Sequence, residues 1–127
     1  MFSLKNKTAV VTGRGIIIGK AISVLFAKQG AKVHIIELNL KAAYRAVKEI
    51  SVFGKVEAHA CDVIKQTEVL ATFQKIGKID ILINNAGIAH VGKADTTEAV
   101  DFGRVLKVNV KGASNCFGIP TKRWTKF

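Results

Sequence analysis

Apolar and polar positions along this chain change period several times, and each change marks an element. Ala9-Val10-Val11 is a short apolar run ending at Thr12-Gly13, where a chain turns sharply, and it predicts a buried strand. From Ile18 to Gln29 the apolar positions Ala21, Ile22, Leu25 and Phe26 fall on one helical face, and Gly30 stands where helices commonly stop. Val33 to Glu37 predicts a second strand. Leu40, Ala43, Tyr44, Val47 and Ile50 then repeat at helical spacing until Gly54. A third strand follows over Val56 to Cys61, then a weaker helix carrying Val69, Leu70, Phe73 and Ile76, then a fourth apolar run over Ile79 to Ile83.

Strand and helix in strict alternation imply a parallel sheet covered on both faces. After Gly87 the pattern loosens through Ala89-His90-Val91-Gly92-Lys93. A last helix is expected from near Thr97, with Phe102, Val105, Leu106, Asn109 and Ala113 on one side. Gly103 and Gly112 within it each cost about 1 kcal/mol relative to Ala, so packing has to hold that helix. Gly118-Ile119-Pro120 breaks it, and Thr121 to Phe127 carries no periodicity. Residues 1–117 therefore read as one α/β domain and 118–127 as a basic tail.

Length and composition narrow the class. The 127 residues are 49% hydrophobic and 23% charged, which is globular and large enough for a core without crosslinks. Two cysteines, Cys61 and Cys116, are too few for a disulfide scaffold and suit a reducing compartment. No apolar run approaches the ~18 residues that would span a bilayer, so a cytoplasmic protein without a membrane partner is expected. Lys and Arg number 20 against 9 Asp and Glu, a net +11. Arg104, Lys107, Lys111, Lys122, Arg123 and Lys126 supply six of those charges with no acid after Asp101. A solvated helix face and tail account for them better than a nucleic-acid site does, because no zinc spacing or aromatic-basic motif accompanies the charge.

The candidate chemistry clusters where predicted strands end. The first strand runs into Thr12-Gly13-Arg14-Gly15-Ile16-Ile17-Ile18-Gly19 and then a helix, a place where glycines let a pyrophosphate approach a helix N-terminus. About 25 residues beyond Gly13 the second strand ends in Glu37, placed for a ribose 2′-hydroxyl. Cys61-Asp62-Val63 follows the third strand and Asn84-Asn85-Ala86-Gly87 the fourth. Together these pieces resemble the short-chain dehydrogenase/reductase family, in order and spacing from Leu4 to about Phe117.

That resemblance implies a Rossmann-type doubly wound sheet of four parallel strands in the order 3-2-1-4, truncated relative to the complete family fold. It implies cofactor contacts from Thr12, Gly13, Gly15, Ile18, Gly19, Glu37, Asp62, Val63, Asn85, Ala86 and Gly87. Glu37 would favour NAD over NADP, since a carboxylate repels a 2′-phosphate; Arg14 is offset from the loop arginine of NADP-dependent members. Asp62 would meet the adenine with Val63 beside the ring. Asn109 resembles the asparagine that supports a water in the family's proton relay. The chain departs from the pattern at Ile17, where the family has glycine. A side chain there displaces one or two phosphate hydrogen bonds, at roughly 1–3 kcal/mol each, and leaves cofactor binding in question.

The parent chemistry implied is NAD-dependent hydride transfer between an alcohol and a carbonyl, with a small-molecule substrate. The family's serine and Tyr-x-x-x-Lys have no counterpart in the expected place. Tyr44 and Lys48 do form that spacing, but on the helix after the second strand, where Tyr44 is expected to pack. Little or no turnover by the 127 residues is therefore expected. The alternatives are a non-catalytic dinucleotide- or protein-binding module and, less favoured, a basic nucleic-acid binder. Self-association through the last helix or the open edge of the fourth strand is a further expectation. His34, His59 and His90 show no metal-ligand spacing, and Ser114 lacks a His/Asp pattern, so neither a metal nor a nucleophile is assigned.

Overall fold

The computed structural model describes residues 3–13, 18–86, 99–112 and 115–116. Four strands, β1 (Thr8–Thr12), β2 (Lys32–Glu37), β3 (Val56–Ala60) and β4 (Ile81–Asn84), form one parallel sheet in the order β3-β2-β1-β4. Three helices of equal length join them: α1 (Ile18–Lys28), α2 (Leu40–Ile50) and α3 (Gln66–Ile76). This is the parallel sheet that the alternation predicts, in the doubly wound order that the resemblance implies.

Burial on both faces explains why β1 is an apolar run and β2 nearly one, interrupted by the buried His34. Successive residues face opposite sides. Val10 and Ile36 join Cys61, Val63, Val69, Phe73, Ile79 and Cys116 in one core. Val11, Val33 and Ile35 join Leu4, Ala27, Ala31, Ala46 and Ile50 in the other. Helices α1 and α2 thus cover one face, and α3 with residues 115–116 covers the second.

Two helical faces differ from the sequence expectation. On α1 the buried positions are Gly19, Ser23 and Ala27, while Leu25 is 55% exposed. The helix sits close enough to the sheet that only small residues fit along the line of contact, with Ile22 and Phe26 wedged beside it. On α2 the buried line is Ala43, Ala46 and Ile50, and Tyr44 is 62% exposed. Tyr44 lies one residue past Ala43, about 100° around the helix, so the expectation that it packs is corrected.

The last predicted helix is also different. An α-helix, α4 (Ala99–Leu106), widens into a π-helical segment over Lys107–Gly112. The wider turn breaks the 3.6-residue stripe, and Asn109 and Val110 are exposed. Gly112 is held by contact: a Cβ there would lie 2.7 Å from Val63 Cγ2. Thr97, Ala113, Ser114, His90 and the basic tail lie outside the described residues.

Candidate functional site

All four strands point the same way, so their carboxyl ends share one edge of the molecule. Register sets what meets there. Thr12 pairs with Ile36 on one side and Asn84 on the other, and Glu37 pairs with Ala60. The ladder continues past the strands, with the Gly13 amide donating to the Ile36 carbonyl and the Cys61 amide to the Glu37 carbonyl, both at 3.0 Å. Thr12-Gly13, Glu37, Asp62 and Asn84-Asn85 therefore stand side by side, though up to 73 residues separate Thr12 from Asn85 in the chain. The sheet order reverses between β1 and β4, which is where open α/β sheets leave a crevice for ligands.

Thr12 is a clamp across that crevice. Its hydroxyl, buried at 1% exposure, accepts the amides of Asn85 and Ala86 at 3.2 Å each and donates to the Ile83 carbonyl at 3.4 Å. Gly13 follows with φ +121, in the left-handed region that favours glycine. A Cβ on it would lie 2.9 Å from both Ala86 N and Asn85 C. A Cβ on Gly19 would lie 2.6 Å from Asn85 Nδ2. Gly13 thus lets the backbone at the exit of β4 close down onto the end of β1, while Gly19 faces the end of the Asn85 side chain. Ile18, the first residue of α1, points outward at 65% exposure. Gly15, Ile17 and Gly87 lie outside the described residues.

The acidic positions are fixed from neighbouring elements. Glu37 is 1% exposed at the end of β2. Asp62 forms a tight turn in which Oδ1 accepts the Ile64 amide at 3.2 Å, and its own amide donates to Glu68 Oε2 at 2.9 Å. That bond, aided by nearby Lys65, holds the Glu68 carboxyl below the usual carboxylate range. Val63 lies in the core at 9% exposure, and its carbonyl accepts Asn115 Nδ2 at 2.8 Å. The Asp62-Val63 loop is thus tied both to α3 and to the segment after α4. Asn109 sits in the π-helical turn, a distortion that concentrates at functional sites.

Sequence reasoning missed Glu68, Asn115 and the burial of Asn84. Glu68 occupies the third position of α3, where a carboxylate commonly reaches back to orphan amides, so a signal was present. Asn115 carried none, because its partner is 52 residues away. Asn84 is the informative one. Both polar atoms of its amide are buried with no hydrogen-bond partner among the described residues. A bare buried amide costs roughly 1–3 kcal/mol per group, so this is a position suited to a polar ligand or water.

These residues fit a dinucleotide: glycines at the end of β1 and in the first turn of α1, an acid at the end of the adjacent strand, and a buried amide without a partner among the described residues at the switch point. The fold and site define a nucleotide-binding α/β protein. The comparisons refine that class. The family model for short chain dehydrogenase matches residues 7–125, and the chain belongs to that family. It is 41% identical over 112 residues to 7alpha-hydroxysteroid dehydrogenase of Escherichia coli, covering 84% of this chain and 44% of that protein. It is 38% identical over 113 residues to an uncharacterized oxidoreductase of Thermotoga maritima, covering 87% and 45%. Among solved structures, NAD+-bound xylitol dehydrogenase superposes with a TM-score of 0.90 at 28% identity, over 96% of this chain and 49% of that one. The NADH complex of 3-ketoacyl-(acyl-carrier-protein) reductase from Brucella melitensis gives 0.81 at 39% identity, over 91% and 48%. The chain spans less than half the length of these curated relatives.

Proposed function

We propose that these 127 residues form the dinucleotide-holding half of an NAD-dependent oxidoreductase that interconverts an alcohol and a carbonyl. The observation that carries this reading is the convergence of Thr12-Gly13, Glu37, Asp62 and Asn84-Asn85 at the carboxyl ends of adjacent parallel strands. Family membership and NAD- or NADH-bound neighbours support it. The cofactor, when bound, supplies or accepts the hydride. The chain's own residues do the rest of the holding. The N-terminal amides of α1 offer an anion site, and Glu37 discriminates against a 2′-phosphate by charge. Asp62 and Val63 meet the adenine, with Asn85 and Ala86 lining the crevice. Asn109 supports a water for proton transfer.

Within the 127 residues the family's proton-transferring tyrosine and lysine have no counterpart. Tyr44 projects to solvent from α2, a helix on the sheet face opposite Val63 and Asn115. Binding without appreciable turnover is therefore the proposed behaviour of these residues alone. Titrating NADH and NADPH while following their fluorescence tests the first part, with saturation by NADH at lower concentration than by NADPH expected. No change at millimolar NADH would remove the reading. A ketone panel with NADH, followed by absorbance, tests the second, and turnover above background would sink it.

A further inference from the structure

His34, Glu57 and His59 meet on the sheet face that carries α3, at the edge where β2 pairs with β3. In the register His34 lies opposite Glu57, and His59 lies opposite Ile36, two residues further along. Side chains two residues apart on a strand point the same way, so all three rise from one face. His34 is buried at 3% exposure, whereas the Glu57 side chain is 56% exposed and His59 lies between.

The two rings meet through nitrogen. His34 Nδ1 lies 2.9 Å from His59 Nε2. The ring centroids are 5.2 Å apart at an interplanar angle of 21°, which is the nitrogen separation plus about two ring radii. The imidazoles therefore lie end to end and nearly coplanar, with one proton between two in-plane lone-pair positions. Glu57 Oε2 stands 3.5 Å from His34 Nδ1, and one ligand atom from each residue lies within 4.8 Å of the others.

We propose that His34, Glu57 and His59 form a binding site for a divalent transition metal of the zinc class, with a water completing four-coordination. Bond lengths of about 2.0–2.2 Å place neighbouring ligand atoms of a tetrahedral zinc about 3.3 Å apart. The observed 2.9 and 3.5 Å bracket that value, so the nitrogens part by about half an ångström, and each ring tilts by about 35° so that lone pairs now facing each other converge on one ion. The exposed Glu57 side chain has freedom to close the remaining edge. Two imidazoles and one carboxylate are a donor set that suits zinc, and the open position lies toward solvent on the Glu57 side.

Protonation is compatible with this chemistry. Burial, repulsion from His59 and the nearby Lys32 charge push His34 down to about 4, against a weaker pull from Glu57. Burial lowers His59 as well. Both rings are then neutral near pH 7. The proton held between Nδ1 and Nε2 moves to the far nitrogen of its own ring as the metal enters, so no net proton is lost. Glu57 gives up an exposed ion pair with Lys32, whose Nζ stands 3.3 Å away. The metal would pin edge strand β3 to β2 on the face opposite α2.

The test uses the full chain, stripped of metal and titrated with zinc chloride by calorimetry and with cobalt chloride by visible absorption. One equivalent should bind, and cobalt should show four-coordinate ligand-field bands without thiolate charge transfer in the near ultraviolet. Glu57→Gln and His59→Gln, checked for folding by circular dichroism, should each bind at least tenfold more weakly; loss of a group that merely supports a ligand already costs roughly 10–100-fold. Failure of the unmodified chain to bind, undiminished binding by both variants, or a thiolate band would each overturn the proposal.

Discussion

Replacing Thr12 by Val and by Ser separates the hydroxyl clamp from simple space filling. Valine keeps the volume of threonine and removes its oxygen, leaving the Asn85 and Ala86 amides without their acceptor at 3.2 Å. Both residues are half-buried, so the low end of the orphan cost applies, about 1 kcal/mol each. Thr12→Val should therefore lose about 2 kcal/mol. For a chain of 127 residues the unfolding entropy makes 1 kcal/mol worth about 4 °C, so Tm should fall by about 8 °C. Serine keeps the oxygen and loses one buried methyl, about 0.8 kcal/mol or some 3 °C. The expected order by thermal denaturation is wild type, then Ser, then Val. If Thr12 only fills space beside Ile83, Val is silent and Ser is the worse variant. That reversed order would refute the clamp.

Gly13→Ala should destabilise by more than about 3 kcal/mol in urea unfolding, since φ +121 and backbone atoms at 2.9 Å both oppose a side chain. Gly19→Ala should stay within about 1 kcal/mol, because the atom it meets is the mobile end of Asn85; equal losses would contradict this geometry. Cys116, fully buried, has its thiol pushed up to about 12 by desolvation, with a smaller push from Cys61. The unfolded thiol ionises near 9, so stability is intact below about pH 9 and falls above it, by up to about 4 kcal/mol at full titration. Cys116→Ala should flatten that alkaline slope, and an unchanged slope would show that the thiol is not the group responsible. Ile17→Gly should tighten NADH binding by roughly tenfold to thousandfold, as one or two phosphate hydrogen bonds return; unchanged affinity would clear Ile17 of blame.

The strands were legible because β1 and β4 are apolar runs, β2 is one broken by His34, and β3 alternates, each bounded by polar or glycine turns; their order came from the family resemblance. The helix faces were less so. Periodicity finds a stripe, but it weights large residues, and α1 packs through Gly19, Ser23 and Ala27, the small positions such weighting overlooks. Tyr44 was misplaced for the related reason that an aromatic next to a buried alanine looks like core until the helix is rotated onto its sheet. The π-helical turn at Lys107–Gly112 left no trace in composition. Its contacts are long-range, with Gly112 under Val63 and Asn115 on the Val63 carbonyl, the second bridging 52 residues.

The same argument separates the two sites. Residues at the proposed dinucleotide end share an edge that sequence could anticipate, because each lies at or just past the end of its own strand, so local patterns betray a shared destination. His34 and His59 carry no such offset. They lie 25 residues apart, a spacing set by the length of a β-α-β crossover rather than by ligand geometry, and only the register of β2 on β3 brings their nitrogens to 2.9 Å. A parallel sheet thus makes one class of site visible in advance, the class at its carboxyl edge. Sites on its faces depend on register, which apolar runs specify only to the nearest pair of residues. A one-residue slip of β3 would send Glu57 and His59 to the opposite face, beneath α2, and Ala58 to the surface beside His34. The burial of Ala58 against the second core fixes the register, and with it the convergence of the three ligands.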